Sequence, residues 1–258
     1  SLKIRSITHQ PLRQTQGMIE GIFRLMKVNV TVPDYTTVSR RSKTLDLNVE
    51  RFPTGEGSII NPNEPVYMII DSTGLKVYGV GEWHLKKHGV KARRSWRKDH
   101  ISTTRTGDIQ AGTGTDHRTD DASQVPKLQE QVEEDVAGAI ADGAYDVKHV
   151  YQSFIEMNPD VRLIIPHRSY AVMSEDPILK QRNEHIEQVQ QHGREAWENS
   201  SGYTQQARAE NTMFRYKTIF GGHLRSRTFE SQENEVILNC SILNKMRSLG
   251  MPDSYRVA

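Results

Sequence analysis

The chain has 258 residues, enough for one large domain with a sizeable core plus smaller appendages. Its 34 Lys and Arg nearly balance 32 Asp and Glu, so net charge names no partner and only the placement of charge is informative. The single cysteine, Cys240, excludes internal disulfides and cysteine-rich zinc sites and suits a reducing cytoplasm. No apolar run approaches 18 residues and no signal-peptide pattern occurs, so neither membrane nor secretion is indicated.

Residues 10–28 set Leu12, Met18, Ile19, Ile22, Phe23, Leu25 and Met26 on a broad helical face. Pro33-Asp34 then opens a second helix over 35–45, with Asp34 as N-cap and Arg40, Arg41 and Lys43 late in it. A helix-turn-helix is one reading of this pair. An ordinary helical hairpin is preferred, because the motif is weak without recognition-helix context. Residues 47–63 read as a strand followed by a turn-rich linker.

PVYMIIDS, residues 65–72, is a near-continuous apolar run that ends on Asp71. It reads as a strand buried on both faces, with the carboxylate at the rim of the sheet. Gly79-Val80-Gly81 lacks the third glycine and following helix of a dinucleotide fold, and no Walker-type Gly-Lys-Ser/Thr exists, so no nucleotide cofactor is expected. Between Trp83 and Lys98 there is no acid at all, while Lys86, Lys87, Lys91, Arg93, Arg94, Arg97 and Lys98 accumulate. Most charge runs are solvated faces. One this one-sided, beside a carboxylate, points to a phosphate backbone.

Residues 97–103 and 109–115 predict a β-hairpin around Arg105-Thr106-Gly107. Expected next are a polar helix over 120–134, a buried strand over 137–141 ending on Asp142, and a helix over 147–157. A short strand over 162–166 follows, then a charged helix from Pro177 to about Glu198. After Gly202 the chain continues helically over 203–220, and a closing helix spans 231–249 before Gly250. This order is that of an α/β, RNase H-like mixed sheet flanked by helices, filling residues 64–258, with a small N-terminal helical segment over 1–63 as a candidate for DNA binding.

Asp71 and Asp142 at strand ends, with Glu210 on a helix able to pack across them, supply the oxygen donors that hard divalent ions want. Two such ions about 4 Å apart serve phosphodiester chemistry by clamping the attacking and leaving oxygens. Each acid alone reads better as a solvated turn or cap residue; their placement is what shifts the balance. Tyr203, Glu210 and Lys217 are spaced by seven and share a helix face with Gln206, spanning roughly 21 Å. By spacing alone a structural helix is the better reading. No acid occurs from Asn211 to Phe229, where Arg215, Lys217, Arg225 and Arg227 lie. Trp83 and Trp96 flank the basic run as stacking candidates, Trp96 equally as core; Trp197 reads as packing, and Cys240 as structural. Tyr145 either shapes the acidic site or caps its strand, and His100, His167 and His223 show no ligand spacing.

IIDSTGLKVYGVGEWHLKKHG, SWRKDHI, IADGAYD and AENTMFRYKTIFGGHLRSR resemble blocks of bacterial insertion-sequence DDE transposases, most closely the insertion-sequence-five group. PLRQTQG, VPDYTTVSRR and LNKMRSLGMPDSYR resemble the same proteins, so the likeness covers nearly the whole chain. It implies Asp71, Asp142 and Glu210 as a catalytic triad holding two Mg²⁺ or Mn²⁺ ions. It further implies cleavage at the ends of an insertion sequence, joining to target DNA, and homo-oligomers on DNA at the nucleoid. The family signature Tyr-x2-Arg-x3-Glu-x6-Lys falls on Tyr203, Gln206, Glu210 and Lys217, with Gln in place of Arg and Arg208 nearby. Relatives carry a longer N-terminal region, so an upstream portion is expected. An RNase H-like structure-selective nuclease and a truncated copy that only binds DNA remain alternatives at this point.

Overall fold

A computed structural model describes residues 1–52, 65–77 and 96–250. Six strands form one mixed sheet: β1 (Val66–Val77), β2 (Trp96–Thr103), β3 (Ile109–Asp116), β4 (Val136–Ala141), β5 (Arg162–Ile164) and β6 (His223–Leu224). Their order is β3-β2-β1-β4-β5, with β6 also pairing β1. β1, β4 and β5 run parallel, while β2 and β3 form an antiparallel hairpin on the other edge of β1. Gly107, at φ +88°, turns that hairpin.

The helices are α1 (Leu2–Thr8), α2 (Leu12–Leu25), α3 (Tyr35–Arg41), α4 (Val125–Gln129) and α5 (Lys148–Met157). The later ones are α6 (Lys180–His192), α7 (Arg194–Ser201), α8 (Ala207–Phe220) and α9 (Phe229–Ser248). Alternation along the strands sorts the core. Met68, Ile70, Ala139, Ala141 and Leu163 face α4 and α5, through Val125, Leu128, Tyr151 and Phe154. Ile69, Ile140 and Ile164 face the opposite way, onto Trp197 of α7 and Ala209 of α8. A sheet covered by helices on both faces needs apolar residues at successive strand positions, which is why β1 and β4 read as unbroken runs.

Several elements differ from expectation. β1 does not stop at Asp71 but continues to Val77, because β2 pairs with it as far as Lys76. Residues 47–52 carry no strand; their backbone instead meets α9, where Ser241 Oγ accepts from the Glu50 N–H at 2.9 Å and Asn244 Nδ2 donates to the Glu50 carbonyl at 3.0 Å. The polar helix expected over 120–134 shrinks to a 3₁₀ turn and the five residues of α4, since Pro126 fits only a helix's first turn. The charged helix after Pro177 breaks at Gly193, whose φ of +85° cannot continue it. Asp34 does cap α3, accepting from the Thr36 N–H at 2.8 Å, although α3 ends at Arg41.

α1 and the α3 terminus also rest on α9, through Ser6 to Asn239 and through Asn234 Nδ2 to the Ser42 carbonyl at 3.0 Å. On α2 only Thr15 and Ile19 are buried, whereas Leu25 and the following Met26 are exposed.

Candidate active site

The site grows from a gap in the sheet. On one edge of β1, β4 pairs only as far as Ile70, opposite Ala141, and β6 begins only at Lys76. Between them the Asp71–Leu75 edge of β1 is unpaired on that side. Asp71 therefore stands level with Asp142, the first residue beyond β4. Each carboxylate is oriented by the backbone: Asp71 Oδ1 accepts from the Ser72 N–H at 2.7 Å, and Asp142 Oδ1 from the Ala144 N–H at 2.8 Å. The second bond caps the 3₁₀ turn Gly143–Tyr145.

α8 is laid across this gap by two contacts. Gln206 Nε2, 5% exposed, donates to the Ile70 carbonyl at 3.0 Å. Ala209 is wholly buried against Ile69 and Ile140, where its small side chain lets the helix sit close to the sheet. Glu210 follows in the first turn of α8 and is exposed. Ahead of it, Tyr203 packs on Trp197 with centroids 5.5 Å apart. Trp197 Nε1 donates to His185 Nδ1 at 3.0 Å, so the neutral imidazole carries its proton on Nε2 and donates it to the Leu163 carbonyl at 2.7 Å. Burial holds His185 below its ordinary pKa and keeps that neutral form.

The electrostatics record how near the acids lie. Burial, opposed by the Ser72 bond and reinforced by the charges of Asp142, Glu210 and Asp121, pushes Asp71 up to about 6. Tyr145 is buried beside the same acids, and burial first, then Asp121, Asp71 and Asp142, drives its hydroxyl far above the phenol range. Among the described residues no three His, Cys, Asp or Glu side chains close into a metal-ligand set. The donor chemistry nevertheless fits a hard divalent cation: carboxylate oxygens at one sheet edge, one of them already short of compensating positive charge.

Residues 62–245 match a family model described as a transposase DDE domain, and residues 1–80 match a second model of the same description. The chain belongs to the DDE transposases. It is thus a metal-dependent enzyme that cuts and joins DNA strands, with DNA as its partner, and its mixed sheet flanked by helices is consistent with the RNase H-like fold expected of it. Among the described residues no helix is long and apolar enough to cross a membrane.

The transposase's expected DNA-contact residues divide into four groups. Arg208 and Lys217 are exposed on α8, and Tyr203 is partly exposed at its approach. Arg97, Lys98 and Gln206 are engaged internally. Arg97 Nε donates to Gln232 and Nη1 to Asp116, both at 2.9 Å, and its guanidinium lies over Phe229. Lys98 Nζ bonds Asp121 and the Thr119 carbonyl, each at 2.8 Å. Arg215 is half-buried, and burial lowers its pKa despite the nearby Asp108. Lys86, Lys87, Lys91, Arg93, Arg94 and Trp83 lie outside the described residues.

Sequence reasoning missed Asp121 and Asp99. Asp121 lies within electrostatic reach of Asp71 and pairs Lys98, with His100 Nδ1 3.7 Å from its carboxylate. Burial lowers His100 to about 4, so it stays neutral there, its Nε2 2.7 Å from Thr115 Oγ1. The one available signal for Asp121 was its place just after β3, the third strand edge to approach this region.

Proposed function

We propose that Asp71, Asp142 and Glu210 together hold two divalent ions, Mg²⁺ or Mn²⁺, and that the transposase uses them to cleave the ends of an insertion sequence and join them to target DNA. What supports this most is the placement of Asp71 level with Asp142 at the open edge of β1, where burial first and then the charges of Asp142, Glu210 and Asp121 raise its pKa. When bound, such ions make an oxygen nucleophile available near neutral pH and stabilise the leaving oxygen of an in-line displacement. The chain's own part is to fix the donors. The Ser72 and Ala144 N–H groups hold two carboxylates, and Gln206 and Ala209 hold the helix that presents the third. Arg208, Lys217 and Tyr203, with the basic residues Lys86, Lys87, Lys91, Arg93 and Arg94, take the DNA backbone leading away from the acids. Two element ends must be brought together before joining, so the working form is a homo-oligomer on DNA at the nucleoid.

The test is the metal dependence of strand cleavage on duplexes bearing the element's own ends. Mg²⁺ or Mn²⁺ should support cleavage, and Ca²⁺ should support binding with little cutting, because its looser coordination positions the attacking oxygen poorly. Cutting that persists in excess chelator would refute the reading.

A further inference from the structure

Two arginines far apart in the chain are left without local counter-charges. Arg5 lies in LKIRSIT, the acid-free sequence of α1, and Arg225 lies in the acid-free stretch 211–229, directly after β6. Folding brings them to one cavity, partly enclosed, where α1, the end of α3, the residues after β6 and α9 meet. Leu2 and Leu238 give it an apolar wall.

Folding does not supply the missing charge either. Among the described residues neither guanidinium makes a hydrogen bond or an ion pair, and Arg5 Nε is buried with no partner. The acid that lines the cavity, Glu235, turns its carboxylate to the backbone instead. It accepts from the Arg225 N–H at 3.0 and 3.2 Å and from the Ser226 N–H at 2.8 Å. Burial lowers the pKa of Arg5, Glu235 opposes this and Arg225 adds to it, so two cations share the space with one engaged acid. A guanidinium withdrawn from water without a counter-charge is costly. Its planar fork of donors matches the oxygens of a phosphate group, which two such forks can grip from different sides.

We propose that this cavity binds one phosphate group between Arg5 and Arg225, with the Ser226 hydroxyl as a further donor. The bound group ties α1 to the residue that follows β6, and so joins the N-terminal segment to the strand that pairs with β1 at Lys76. The site stands apart from the acidic edge and does not rest on its metal chemistry. Inorganic phosphate and a phosphate of the DNA backbone share the chemistry that the two arginines recognise, and the experiment separates them.

The test is thermal unfolding of the full chain in sodium phosphate and in sodium chloride of equal ionic strength. Phosphate also stabilises proteins in general, by exclusion from their surface. The gain is therefore read against Arg24→Gln, which removes the same charge from an exposed position on α2. Wild type and Arg24→Gln should gain several degrees in phosphate, whereas Arg5→Gln and Arg225→Gln should gain only the general part. Calorimetric titration with inorganic phosphate should find one site per chain in wild type and none in Arg225→Gln, a second reading should Arg5→Gln fail to fold. A duplex then identifies the source. If the DNA backbone occupies the cavity, phosphate at constant ionic strength weakens duplex binding by wild type more than by Arg225→Gln; if the free ion does, it affects both alike. Equal gains in all four proteins, or a titration that finds no site in wild type, would overturn the proposal.

Discussion

Asp99 is wholly buried on β2, beneath α8, and neither carboxylate oxygen has a hydrogen-bond partner among the described residues. Burial raises its pKa to about 7, and Lys217 only partly opposes this. Folded Asp99 thus keeps its proton up to about pH 7, whereas the unfolded chain releases it near 3.8. The stability this contributes is complete below pH 3.8 and disappears as pH rises towards 7. Asp71, raised to about 6, acts in the same direction over a narrower window. Denaturant midpoints should therefore be lower at pH 8 than at pH 5, and Asp99→Asn should shrink that difference; an unchanged difference would show that Asp99 does not titrate as a buried acid. Asp71 and Asp142 were legible because each closes an apolar run. Asp99 was not, because it sits in WRKDHIS, where polar neighbours hide a buried face. Gln206 was legible only as a departure from the family signature, since its bond to Ile70 joins residues 136 positions apart.

At the scale of elements, β4 is the strand that sets Asp142 beside Asp71, and Gly138 lets it fit. A Cβ there would lie 2.4 Å from Tyr67 Cε1 and 2.7 Å from the Arg162 carbonyl oxygen, and the backbone oxygen cannot rotate away. Gly138→Ala should cost about 1–3 kcal/mol and lower the melting temperature by several degrees. Gly21→Ala on α2, where a Cβ meets nothing within 4 Å, should be neutral or mildly stabilising. Equal melting temperatures for the two variants would mean that β4 tolerates displacement. Strong periodic signals predicted most elements: the hairpin, β4, α5, α9 and the Asp34 cap all lie where the pattern puts them. Pattern reading lost the breaks instead. Gly193 divides one charged run into α6 and α7, and Tyr203–Gln206 is a 3₁₀ turn before α8, because a single glycine or a tightened first turn barely perturbs a polar helical signal.

Across the whole molecule, the gap that frames Asp71 is closed at its far end by β6, a two-residue strand with no sequence signature of its own. What the sequence did carry was the set of three acids, Asp71, Asp142 and Glu210, proposed here to act together. Glu210 is the decisive member, being exposed and placed by a helix rather than a strand end. The most direct measurement is strand cleavage by Asp71→Asn, Asp142→Asn, Glu210→Gln and their pairwise combinations, with melting temperature and DNA binding recorded for each. Glu187→Gln, an exposed acid on α6, is the control; Glu233 and Glu235 are unsuitable because they bond Lys127 and the Arg225 and Ser226 N–H groups. Each single variant should fold and bind DNA while cleavage falls by orders of magnitude, and each pair should lose little more than one member alone, as residues acting as a unit do. Cleavage by Glu210→Gln equal to that of Glu187→Gln would contradict the three-carboxylate site.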